Sequence, residues 1–285
     1  METVLKSKKQ EVKIGSESRF VIIGEKINPT GRKILAGKIK EGDYEYIRDL
    51  ANKQVEAGAH VLDVNVGVPG IDEAQVLPEV ARIVSESVDV PLCLDSANHQ
   101  ALAAALAVLP GKPLVNSVNG EEKSLGTVLP LVKEHGVSVI GLTMDDNGIP
   151  KDAETRVAIA EKIINQAAKL GIGIEDIVID PLVLTVGADS NAAAVTLQTI
   201  RLLRQEFGIN INLGASNVSF GLPDRHTVNQ AFLSLAIGMG ATCAITDPVK
   251  LTNTILATDL LLGHDPNGMR YIKYWRKHKN HRQIS

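Results

Sequence analysis

Two cysteines in 285 residues, Cys93 and Cys243, cannot build a disulfide framework, and neither has a second cysteine or a histidine at zinc-ligand spacing. Both sit in apolar runs, the usual setting of buried reduced thiols. Aromatic residues make up only 3% of the chain, too few for the stacking platforms on which single-stranded nucleic acid lies. The net charge of −3 gives no reason to expect a polyanionic partner. No uninterrupted apolar run reaches membrane-spanning length, and METVLKSKKQEVKIGSES at the start has no apolar core of a secretory signal. A cytoplasmic protein without nucleic-acid or membrane partners is the expectation. No G-x-G-x-x-G run follows a strand, which argues against a dinucleotide-binding open sheet.

What is present is a 44% hydrophobic chain dominated by Val, Ile, Leu, Ala and Gly, suited to strands buried on both faces. Strand-like runs recur at 20–28, 60–67, 91–97, 113–120, 137–145, 176–184, 211–219 and 242–248. Helical periodicity fills the gaps. Ile47, Leu50, Ala51, Val55 and Gly58 form one apolar stripe, and Val195, Ile200, Leu203 and Phe207 another. Gly58, Gly136, Gly171, Gly208, Gly240 and Gly263 mark helix ends. Eight strands, each followed by a helix, predict a closed (β/α)8 TIM barrel, which typically takes about 250 residues. The barrel is expected over 20–268. Residues 1–19 read as a polar extension, and 269–285 as a basic tail carrying Trp275, the only tryptophan.

Several strands start apolar and turn polar at their C-terminal ends. These ends carry Glu25 and Asn28, Asp63 and Asn65, Asp95, Asn116 and Asn119, Asp180, then Ser216, Asn217 and Ser219, and lastly Asp247. In a barrel they converge on one mouth, where the active site is built. One such residue alone is more often a loop cap than a ligand contact; the joint pattern is what points to a site. The set is rich in carboxylates and carboxamides and poor in histidine. His60 starts its strand, at the end away from the mouth, so no catalytic zinc set is available. A strand-end lysine for a Schiff base is missing too. Asp and Asn suit a flat heterocycle with alternating donors and acceptors, a pterin or a purine, and the residue chemistry does not separate the two.

The segments VIIGEKINPTGR (21–32), EAGAHVLDVNVG (56–67), PLCLDSANHQALAAAL (91–106), LVNSVNGEEKS (114–124), VIGLTMDDNGIPKDAETR (139–156), DIVIDPLVL (176–184) and GASNVSFGLPDR (214–225) resemble the pterin-binding methyltransferases. That family includes methyltetrahydrofolate:corrinoid protein methyltransferases, the tetrahydrofolate methyltransferases of glycine-betaine and aryl-ether demethylation, and the folate module of cobalamin-dependent methionine synthase. The likeness runs from about residue 20 to residue 250. It implies a dihydropteroate-synthase-like barrel in which Asp95, Asn116 and Asp180 hold the pterin. It also implies that Asn217 reaches the methyl-bearing nitrogen, with Arg225 nearby. The implied substrate is tetrahydrofolate or 5-methyltetrahydrofolate, the implied methyl partner a corrinoid on a separate protein, and the implied assembly a homodimer without a protein-bound metal. No D-x-H-x-x-G run for binding a corrinoid occurs here; His264 precedes D-P-N-G instead. The NPTGR form and the N-terminal extension favour tetrahydrofolate as methyl acceptor in a demethylation route. Two alternatives remain. One is a dihydropteroate synthase, whose strand-seven lysine is replaced here by Ser216-Asn217; the other is a non-catalytic pterin-binding module.

Overall fold

The computed structural model describes residues 1–278; positions 279–285 of the basic tail lie outside them. The chain opens with an antiparallel hairpin, β1 (Glu2–Lys6) and β2 (Glu11–Gly15). Eight parallel strands follow: β3 (Val21–Ile27), β4 (Val61–Val64), β5 (Leu92–Asp95), β6 (Leu114–Asn119), β7 (Ser138–Leu142), β8 (Ile177–Asp180), β9 (Asn210–Ile211) and β10 (Cys243–Thr246). They are ordered β10-β3-β4-β5-β6-β7-β8-β9. The ring closes where Ile245 N donates to Leu213 O (2.8 Å) and Thr242 N to Ile211 O (3.0 Å), beside a Gly214–Ile245 bridge. The predicted (β/α)8 barrel is the observed one.

Helices α1 (Lys33–Glu41) and α2 (Glu45–Glu56) follow β3. Single helices follow the other strands: α3 (Glu73–Ser87), α4 (His99–Val108), α5 (Glu122–His135), α6 (Ala153–Lys169), α7 (Ala192–Phe207), α8 (Arg225–Gly238) and α9 (Pro248–Leu261). The last described helix is α10 (Met269–His278), on which Trp275 is exposed. Short acidic and amide side chains start many of these helices: Asp72, Asn98, Asp152, Asp224 and Asp247 each accept a backbone N–H of the first turn. All six glycines expected at helix ends have positive φ. Among the described residues no helix is long and apolar enough to cross a membrane.

Two apolar layers follow from the period of two along each strand. Residues such as Ile22, Leu62, Leu94, Val115 and Ile179 face outward onto the helices. Ile23, Val61, Cys93, Leu114, Ile140, Val178 and Cys243 face inward and meet Leu5, Val12 and Ile14 of the hairpin. Residues 1–19 are thus less an appendage than the floor of the barrel. Their Lys and Glu residues alternate with buried ones, so a polar average hides a strand-type pattern. Asn210 Nδ2 ties the hairpin down by donating to Thr3 Oγ1 (3.0 Å) and Ile14 O (2.9 Å). His60, at this same end, accepts from Ile22 N through Nδ1 (3.0 Å), and burial pushes its pKa down to about 3. It is a neutral structural group.

Candidate active site

Two residues beyond each inward apolar residue, the next inward position reaches the C-terminal mouth. Ile23 leads to Glu25, Val61 to Asp63, Cys93 to Asp95, Leu114 to Asn116, Ile140 to Leu142, Val178 to Asp180 and Cys243 to Ile245. All seven of these mouth residues line one cavity of about 530 Å³. A dry layer below and a mostly polar layer above is how the fold makes a floor that is both rigid and chemically legible.

The five residues singled out from the sequence, Asp95, Asn116, Asp180, Asn217 and Arg225, all line this cavity. Asp95 Oδ2 accepts from Asn65 Nδ2 (3.0 Å) and from Asn28 Nδ2 (3.5 Å), leaving Oδ1 for a ligand. Asn65 is fixed in turn, because its Oδ1 accepts from Gly67 N (2.8 Å). Asn116 Nδ2 donates to Asp63 Oδ1 (3.3 Å), which commits the amide oxygen as its free end. Asp180 accepts from Leu182 N on Oδ1 and from Asn212 Nδ2 on Oδ2, each at 2.8 Å. The floor therefore presents acceptors. It is built to meet a ligand edge made of N–H donors.

Burial raises the pKa of the three aspartates here. For Asp63, 1% exposed, the push is large and is reinforced by the Asp95 charge. Burial raises Asp95 as well, offset by the Asn65 hydrogen bond. Asp180 is pushed up to about 6 by burial, against the pull of the Leu182 N–H and the Asn212 amide.

Asn217 departs from expectation in its setting. The S-N-V-S run is not a strand end; β9 stops at Ile211, and Ala215–Ser219 form a 3-10 turn. Asn217 N donates to Gly214 O (3.1 Å), a geometry that a strand would not permit. Its side-chain amide lies on the cavity wall and makes no hydrogen bond among the described residues. Gly214 gives it room: a Cβ there would sit 3.0 Å from Asn217 Nδ2. Ser216 Oγ donates to Glu25 Oε2 (2.8 Å), and Arg225 donates to Ser216 O (2.7 Å) and Ser219 Oγ (3.0 Å). Arg225 also lies over the exposed Phe220 ring, 5.7 Å from its centroid.

Other strand-end polar residues have local duties. Asn119 Oδ1 accepts from Glu121 N (3.0 Å) in the loop before α5, while Asp247 caps α9 and pairs with Lys26. Sequence reasoning missed two supports. Asn212, which orients Asp180, was signalled only by a polar residue recurring at period two in ININ. Arg156, 1% exposed on α6, donates to Pro150 O (3.0 Å), Pro181 O (2.7 Å) and Leu182 O (2.9 Å). It thereby holds Leu182 at φ 61, a left-handed conformation costly for a residue with a side chain. Its signal was a cation on the same helix face as Ala153, Val157 and Ala160.

A sequence model of the family described as "Pterin binding enzyme" matches residues 24–247. The methylcorrinoid:tetrahydrofolate methyltransferase of Eubacterium limosum is 34% identical over 265 residues, 91% of this chain and 97% of that protein. The methionine synthase of Mycobacterium tuberculosis is 31% identical over 253 residues, 84% of this chain but 21% of that protein, so the chain spans about a fifth of its length. Among solved structures, Xanthomonas albilineans dihydropteroate synthase with 4-aminobenzoic acid matches with a TM-score of 0.69. The match covers 92% of this chain and 99% of that one at 18% identity, a likeness of fold.

Proposed function

The chain belongs to the pterin-binding enzymes, and from that premise we propose that it transfers a methyl group between tetrahydrofolate and the cobalt of a separate corrinoid protein. The carrying observation is the pairing of an acceptor floor, Asp95, Asn116 and Asp180, with an unengaged amide, Asn217, on the wall of the same cavity. A reduced pterin offers N–H donors at N3, N8 and the 2-amino group, which suit that floor. Asp95, Asn116, Asp180, Asn217 and Arg225 are the substrate-binding set in this reading, with Asn217 at the reacting nitrogen.

The corrinoid supplies the cobalt that carries or accepts the methyl group, and the protein needs no nucleophile of its own. The lining fits that division: among the described residues it includes no Cys, His or Lys. Where a dihydropteroate synthase would present its lysine, Ser216 hydrogen-bonds Glu25. We take tetrahydrofolate as the acceptor, following the name of the Eubacterium limosum relative. In that direction the N5 lone pair attacks the methyl carbon, the cobalt–carbon bond breaks with its electron pair staying on cobalt, and N5 loses its proton. Asn217 Oδ1 accepts the N5–H and so turns the lone pair toward the mouth. In reverse, Nδ2 donates to N5 as charge builds on it. A neutral amide orients and stabilises; the proton itself goes to or comes from water. The reading also includes a homodimer in the cytoplasm, and the exposed Leu261 and Met269 offer apolar surface for self-association.

Mixing the protein with tetrahydrofolate and a methylated corrinoid, free or protein-bound, should yield 5-methyltetrahydrofolate together with the spectrum of the demethylated corrinoid. Dihydropteroate formed from 4-aminobenzoate and a pterin pyrophosphate, without methyl transfer, would select the synthase instead. Tight pterin binding with no turnover in either assay would leave a binding module.

A further inference from the structure

The amide of Asn217 makes no hydrogen bond of its own among the described residues, so its aim is set by the backbone that carries it. That backbone is one short 3-10 turn, Ala215–Ser219, a form whose hydrogen bonds are poorer than those of an α-helix. Its far half is fastened to the β8–α7 loop, where Val186 N donates to Val218 O (3.0 Å) and Thr185 Oγ1 to Phe220 O (2.6 Å). Its near half, Ser216-Asn217, has two side-chain holds. Arg225 donates to Ser216 O, but it lies on the segment that leaves the turn and shifts with it. The other hold comes from the barrel wall: Ser216 Oγ donates to Glu25 Oε2 (2.8 Å), across β10 from the turn.

Glu25 does not sit in a regular stretch of strand. The register of β3 against β4 shifts between Gly24 and Ile27, and Lys26 N, within the shift, donates to Gln54 Oε1 (2.8 Å). Gln54 is 1% exposed on α2, so the bulge is braced from behind. Bulges beside active sites re-aim side chains. Here the carboxylate lines the cavity, with its second oxygen 3.9 Å from Arg32. We propose that Glu25 is a positioning residue: from the braced bulge it holds Ser216 and thereby aims the Asn217 amide at the reacting nitrogen. This rests on the methyl-transfer reading given above. In this role Glu25 acts only through Ser216 and touches neither the pterin nor the methyl group. A displacement of about 1 Å from a reacting geometry costs up to about 10²-fold in rate, so losing the bridge should slow transfer by about 10-fold. Affinity should be spared, because Asp95, Asn116 and Asp180 still hold the ring.

The test is single-turnover methyl transfer from methylcobalamin to tetrahydrofolate at saturating pterin, with calorimetry of tetrahydrofolate alone. Glu25→Ala should transfer about 10-fold more slowly and bind tetrahydrofolate within about threefold of wild type. Ser216→Ala, which cuts the same bridge without touching the strand, should match it, and the double variant should be no slower than either. Glu25→Gln keeps an acceptor for Ser216 and should recover most of the rate. In an Asn217→Ala background, Glu25→Ala should cost less than about twofold more, because the amide it aims is gone. Rates for Glu25→Ala and Ser216→Ala within about twofold of wild type overturn the proposal. Glu25→Gln as slow as Glu25→Ala does so too, since the carboxylate would then act by its charge or its proton. So do penalties that multiply across Glu25→Ala and Asn217→Ala, or a loss of affinity with the rate kept. Wild-type protein that binds tetrahydrofolate but transfers no methyl group would instead remove the methyl-transfer reading, and this inference with it.

Discussion

Asp180 should be kept at a cost to stability, and the cost can be measured. Its carboxyl is 6% exposed and titrates near 6 rather than near 3.8. Because the folded pKa is raised, the folded state holds its proton more tightly than the unfolded chain does. The associated stability is fully present below about pH 4 and lost as pH rises through 6. Two units at about 1.4 kcal/mol each put the loss at about 3 kcal/mol above pH 7. Asp180→Asn removes the charge and keeps an acceptor for Leu182 N. It also turns an NH2 toward Asn212, and re-pairing that amide costs about 1 kcal/mol. The net expectation is a variant about 1–2 kcal/mol more stable at pH 8, or about 2–3 °C in Tm for a chain of this length. Near pH 5 about half of the charge term survives, so the gap closes there and reverses toward pH 4. Pterin affinity should move the other way, falling about 10-fold or more, and wild-type affinity should weaken as pH drops below 6. Urea unfolding at pH 5 and pH 8, with titration calorimetry on both proteins, tests this. A variant less stable than wild type at pH 8, or a gap independent of pH, would refute the reasoning.

Arg156→Leu strands the carbonyls of Pro150, Pro181 and Leu182 and releases Leu182 from its left-handed conformation. A loss of about 3–5 kcal/mol and of at least 10-fold in pterin affinity is expected, with little recovery in Arg156→Lys, which lacks the fork. Thermal melting and calorimetry check it, and a change under 1 kcal/mol would show that other contacts hold the loop. Asn217→Ala should cost about 10²–10³ in the single-turnover rate of methyl transfer at saturating pterin, with affinity nearly kept. A rate within a few-fold of wild type would assign the reacting nitrogen to another group. Gly214→Ala, by crowding the Asn217 amide, should reproduce most of that rate loss with an unchanged melting temperature; a normal rate would mean the amide has another seat.

Much of this was legible because a barrel writes its site at strand ends. Asp95, Asn116 and Asp180 were found as polar residues closing apolar runs, and they converge as the eightfold alternation requires. What escaped detection depends on contacts between distant segments. The hairpin's alternation in ETVLK and EVKIG is plain in retrospect, but five-residue strands dense in Lys and Glu give a polar window average. Nothing in GASNVS distinguishes a longer strand from two strand residues and a 3-10 turn; the difference lies in where β10 closes the ring. Arg156 belonged to a matched segment, yet its task needs the positions of Pro181 and Leu182, which only the fold supplies.

The hairpin beneath the barrel makes the interior a flask rather than a pipe. Leu5, Val12 and Ile14, with the ring of Val21, Ile23, Val61, Cys93, Leu114, Ile140, Val178 and Cys243 above them, form a dry stopper. The cavity that Asn217 and Arg225 help to line lies at the opposite end from that stopper. The buried carboxyls Asp63, Asp95 and Asp180, all raised above a free aspartate by burial, therefore meet solvent from the mouth side. A large partner that settles on the mouth closes that side as well.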